Sequence, residues 1–137
     1  MEIMLNATLA GGVAIGSASD VIVTPWAAML IGWLGGVLSA IGFQKIGPWL
    51  NTKLKLADTC GVNSLHGMPG IFGAIVSAIA IGASSGNGFP ADYFPAVGED
   101  KSLSPQFWAQ ILALIVTLVI SMASGAIGGF ICSLDFF

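Results

Sequence analysis

The chain has 137 residues and a formal charge of −3, with 55% hydrophobic residues against 8% charged ones and a mean hydropathy of +0.91. Soluble domains are about a quarter charged, so this composition is that of a membrane protein. With 4 Lys and Arg in total, no basic patch can follow a phosphate backbone, which excludes nucleic acid as a partner.

Charge-free runs cover 3–19, 21–44, 59–91 and 102–134. A helix needs about 20 apolar residues to cross the hydrocarbon core, so an all-α transmembrane fold with four helices is expected, at about 3–24, 26–46, 59–83 and 106–134. The first run is the least hydrophobic. Met1-Glu2-Ile3-Met4 lacks the basic start of a cleavable signal, so 3–24 reads as a mature span. Its stretch NATLAGGVAIGSAS has almost no bulky side chains and would gain little from lipid, which places it inside a bundle of more than four helices. The sequon Asn6-Ala7-Thr8 falls at the expected cytoplasmic end of this span and should stay unmodified.

The pairs Gly12/Gly16, Gly32/Gly36 and Gly125/Gly129 have the four-residue spacing that lets helix backbones approach closely in lipid. After the second span, Lys45, Lys53 and Lys55 stand against Asp58; after the third, Asp92, Glu99 and Asp100 stand against Lys101. By the positive-inside rule the first link is cytoplasmic and the second external, with both termini in the cytoplasm. Trp26, Trp49 and Trp108 fall near span ends, where indole rings settle at the headgroup level. Trp33 sits deeper.

The third span opens on DTCGVNSLHGMPG, residues 58–70, which holds the single histidine of the chain, His66. Asp58 or Thr59 can accept hydrogen bonds from the first free backbone N–H groups. Counted from there, His66 lies about two turns in, roughly 10–12 Å along the axis, at hydrocarbon depth. Pro69 cannot donate to the carbonyl of Leu65, so the helix should kink or open beside His66. On an α-helical period His66 shares a narrow polar face with Thr59, Asn63 and Gly70. In its neutral form the imidazole has one donor and one acceptor nitrogen.

Two roles are open for it on these residues alone. It can form part of a pore wall, because ionisable groups at membrane depth usually face a cavity or a bundle interior. It can instead tie helices together by bonding a carbonyl that Pro69 frees. A metal site is not expected, since no second histidine exists and Cys60 lies on a different face about 9 Å along the axis. The same separation argues against Cys–His nucleophilic catalysis and an enzyme. Cys60 and Cys132 read as free thiols.

ADTCGVNSLHGMPGIFGAIV, with NATLAGGVAIGSASD and WAAMLIGWLGGVLSAIGF before it, resembles the Rh glycoprotein branch of the ammonium transporter superfamily. The resemblance runs in order along nearly the whole chain. It implies that His66 takes the position of the second of the family's two pore histidines and Asp58 that of the acid at the cytoplasmic entrance, beside Thr59. Asn63 is implied only as a vestibule-lining residue. It further implies conduction of ammonia or ammonium in the plasma membrane through each subunit of a homotrimer, with no cofactor. Such proteins have eleven or twelve spans, and this chain corresponds to the last four, so it is expected to be the C-terminal part of a transporter that does not conduct alone. The alternative is a small four-helix membrane protein with an assembly or regulatory role and a structural His66.

Overall fold

The structure is a computed structural model that describes residues 1–22, 24–56, 58–83 and 103–134. All regular structure among them is helical: α1 (Glu2–Gly16), α2 (Pro25–Leu54), α3 (Asn63–Ala83) and α4 (Leu103–Cys132). Helices α2, α3 and α4 are long and apolar enough to cross a membrane. The acidic link with Asp92, Glu99 and Asp100 lies outside the described residues.

The first helix is shorter than the span expected over 3–24. It ends at Gly16, and its 15 residues reach only about 22 Å, less than the roughly 30 Å hydrocarbon core. The physical reason lies in Gly16-Ser17-Ala18-Ser19-Asp20, whose small polar side chains compete for the backbone: the Ser19 hydroxyl donates to the Gly16 carbonyl at 3.1 Å. Tight turns follow, with the Ala18 and Ile22 amides donating to Ile15 and Ala18 at 2.9 and 2.8 Å. Thr24 is then extended, and Pro25, at the start of α2, supplies a preset helical φ.

The second helix is longer than the span expected over 26–46. Its 30 residues extend for about 45 Å, so the segment after Lys45, which reads in the sequence as a link, continues as helix through Pro48 to Leu54. A widened π turn, Gly42–Ile46, makes this possible: the Gly47 amide donates to the Gly42 carbonyl, five residues back. Proline inside an α-helix lacks the N–H for the carbonyl four residues before it and crowds that carbonyl; widening the preceding turn accommodates both. Lys55 closes the helix in the left-handed conformation, φ 53°.

The packing centre is α1, between α2 and α3. Its Ala10, Gly11 and Ala14 are buried, as is Ala18 in the turn after it, and so are Gly35 and Ser39 on α2 and Gly73, Ser77 and Ala78 on α3. Backbones meet directly here. A Cβ placed on Gly11 would lie 2.8 Å from the Gly32 carbonyl oxygen, and one on Gly36 3.0 Å from that of Ala7. A Cβ on Gly35 would collide with the Ala14 side chain and one on Gly73 with the Ala14 carbonyl. Of the three glycine pairs read from spacing, Gly32/Gly36 lies in this interface. Gly12, Gly16, Gly125 and Gly129 have open space around them, because the face that meets a neighbour is set by helix rotation and not by spacing. Helix α4 leans on α3 near Gly82, which meets Phe107; elsewhere it exposes large apolar side chains such as Leu112, Val119 and Phe130.

Gly35→Ala is therefore expected to destabilise the chain by about 1–3 kcal/mol through overpacking. Gly129→Ala should leave stability unchanged or raise it by up to about 1 kcal/mol through helix propensity. Unfolding in mixed micelles followed by circular dichroism measures both.

Candidate functional site

The junction between α2 and α3 is built from three side-chain decisions. Asp58, half-buried, accepts from two backbone amides, Val62 on Oδ1 and Asn63 on Oδ2, each at 2.9 Å, so one carboxylate caps the helix start. Gly61 has φ +65° and any Cβ there would run into the Phe43 ring; only glycine combines this conformation with this approach. Phe43, in the π turn of α2, thus rests on the turn that leads into α3.

Helix α3 begins with a second π turn, Asn63–Gly67, in which the Met68 amide donates to the Asn63 carbonyl. Pro69 follows, as Pro48 follows the π turn of α2. The opening expected beside His66 takes this form. It changes the face on which His66 sits. Thr59 lies in a turn ahead of the helix, its hydroxyl 3.9 Å from the Cys60 sulfur, and not on a helical face with His66. A π turn also has more residues per turn than an α turn, so Asn63 and His66, three apart, are turned away from one another. Asn63 is half-buried, with its Oδ1 3.1 Å from where a Gly67 Cβ would stand. Because the helix starts near Val62, His66 lies about 6 Å along it and not two turns in.

The ring of His66 is exposed on the surface of this chain, and among the described residues it has no hydrogen-bond partner. On the opposite side of the same turn, Ser64 is buried at 1% exposure. A cavity of about 370 Å³ at this end of the molecule is lined by Phe43, Asn51, Asp58, Thr59, Cys60 and Ser64, among others. The structure therefore brings Asp58 and Thr59 together around one cavity and leaves His66 and Asn63 outside its lining. Cys60 and Cys132 are free and exposed. Among the described residues no three His, Cys, Asp or Glu side chains come together as a metal-binding set.

The sequence profile of the Ammonium Transporter Family matches residues 1–136. The chain belongs to the ammonium transporter family. It is 43% identical over 137 residues to Ammonium transporter Rh type B of Takifugu rubripes, covering 96% of this chain and 30% of that protein. The namesake of Tetraodon nigroviridis is 45% identical over 127 residues, 89% of this chain and 28% of its own length. Ammonium transporter Rh type B-B of Xenopus laevis is 44% identical, with 96% and 30% covered. The chain thus spans about 30% of the length of these ammonium transporters, and with its three membrane-length helices it is a multi-pass membrane protein.

Phe43, Gly61 and Ser64 were not singled out by sequence reasoning. The signal that could have found them is the proline inside each apolar helical run, Pro48 and Pro69, which marks two widened turns. Asp58→Ala should cost about 1 kcal/mol, as loss of a helix cap does, whereas Asp58→Asn, with a single acceptor oxygen, keeps one of the two bonds. Amide hydrogen exchange should accelerate at both Val62 and Asn63 in the alanine variant and at only one of the two in the asparagine variant.

Proposed function

We propose that these residues form part of an Rh-type transporter of eleven or twelve spans that carries ammonia or ammonium across the plasma membrane. In this reading His66 is one of two pore-lining histidines, Asn63, on another side of the same turn, lines the vestibule, and Asp58 and Thr59 stand at the cytoplasmic entrance of α3. The observation that carries it is the exposed imidazole of His66, unpartnered among the described residues, at the start of a membrane-length helix. A ring of this kind facing acyl chains is costly, so further protein or a water-lined passage must cover it. Membership of the family and the names of the relatives support ammonium as the substrate.

The physics of the passage follows from the side chain. A charged ion at the bilayer centre is expensive, whereas neutral ammonia needs only brief hydrogen bonds. A neutral imidazole offers one donor and one acceptor and holds no fixed charge in the path. The cations Lys45, Lys53 and Lys55, exposed around the end of α2, support a cytoplasmic location for that end and hence for both termini. The transporter works as a homotrimer, each subunit holding its own path. The structural alternative, His66 tying helices together, would require a bond that the described residues do not make.

In the longer transporter, His66→Ala should lower methylammonium or ammonia flux about tenfold, the factor for losing one hydrogen bond of about 1.4 kcal/mol. Unchanged flux with intact expression would leave His66 a structural residue. Liposomes holding only the 137 residues should show no ammonium-driven pH change.

A further inference from the structure

The two π turns touch. Gly42 opens the one in α2, and Ser64 lies within the one in α3. A Cβ added to Gly42 would stand 2.9 Å from both Cβ and Oγ of Ser64 and 3.1 Å from the Met68 sulfur. Ser64 and Met68 flank His66 by two residues on either side, and residues two apart on a helix point to opposite sides. The α2 backbone at Gly42, buried, is therefore set against the back of the turn that presents the imidazole at its front. Phe43, the next residue, closes on Gly61 just ahead of that turn.

Each π turn alone would be a soft element. It carries i→i+5 bonds in place of the regular ladder, and the proline that follows removes a further donor. Ser64, at 1% exposure, and Pro69, also buried, show that the turn around His66 is held from behind, although the ring itself has no partner among the described residues. The Cβ of Ser64 is anchored to the backbone and cannot swing away from an added methyl group as a longer side chain could. A methyl on Gly42 must move the turn.

We propose that Gly42 is a positioning residue for His66: its bare backbone, seated against Ser64, sets the rotation of the Asn63–Gly67 turn and so the direction of the imidazole. The assignment rests on the pore reading of His66 for its consequence in transport, but the brace itself is a property of this chain. Because His66 is the only histidine, its ring gives one unambiguous set of nuclear magnetic resonance signals.

The test records those ring signals for the 137-residue chain in lipid nanodiscs. Gly42→Ala shifts them, and Gly42→Ala combined with Ser64→Gly, which makes room for the new methyl, returns them toward their original positions. Gly36→Ala, an equally close backbone approach made instead to the Ala7 carbonyl at 3.0 Å, leaves them in place. Unmoved signals in folded Gly42→Ala, an equal shift in Gly36→Ala, or no return in the double variant would each overturn the proposal. Should Gly42→Ala not fold, Ser64→Gly alone decides: it removes the brace without a collision and broadens the ring signals, and sharp, unmoved signals refute the brace. In the longer transporter Gly42→Ala brings flux down toward that of His66→Ala. If His66→Ala leaves flux unchanged, the pore reading fails while the resonance result stands or falls by itself.

Discussion

The architecture depends on one residue too small to keep three backbones apart. Ala14 of α1 is pinched between Gly35 of α2 and Gly73 of α3, so closely that neither glycine has room for a methyl group. In lipid there is no hydrophobic drive between helices; what holds them is van der Waals contact and the short-range dipolar contacts that open once backbones come near. The short helix α1 therefore acts as a spacer of minimal thickness. Its Ala10, Gly11 and Ala14 present a flat strip, and the longer helices settle on both sides of it. The placement of α3, and of everything it carries, follows from that strip.

The second constraint is proline. Pro48 and Pro69 each fall within a helix that would otherwise be regular, and each is preceded by a turn closed by a five-residue hydrogen bond, Gly47 to Gly42 and Met68 to Asn63. A kink would have been the other way to relieve the crowded carbonyl. Widening keeps the helix continuous while redirecting the side chains on the widened turn. In α2 this carries the helix beyond the hydrocarbon run with its lysines. In α3 it separates His66 from Asn63 and leaves the imidazole on the outside of the turn, with Ser64 behind it.

The cavity beside Asp58 and the surface at His66 are two different places, although the residues are close in sequence. Asp58 spends both carboxylate oxygens on the amides of Val62 and Asn63, so its first task is to start α3. The turn it stabilises, locked further by Phe43 over Gly61, fixes where the helix begins and hence how far along it His66 stands. Capping leaves Asp58 compatible with the entrance role proposed for it: a carboxylate held at the positive end of a helix still faces the cavity on its remaining side.

Much of this was legible without coordinates. Charge-free runs located the apolar helices α2, α3 and α4, because the bilayer demands length and composition above all. The histidine motif and its ordered neighbours pointed to the family, and Pro69 to an opened turn. The first helix was read too long, since the run without charge persists past Gly16 while helix propensity does not, and the second too short, since proline and lysine mark a link only if the turn cannot widen. Which glycines touch, Gly11, Gly35 and Gly73 in place of Gly12, Gly16 and Gly129, was closed to sequence, and so was the meeting of Gly42 with Ser64. Composition and spacing describe one helix at a time, so they determined which segments belong in a membrane and which residue types could line a passage. The rotation of each helix about its axis is a property of pairs of surfaces, and only the packed structure decided which side of α3 carries His66.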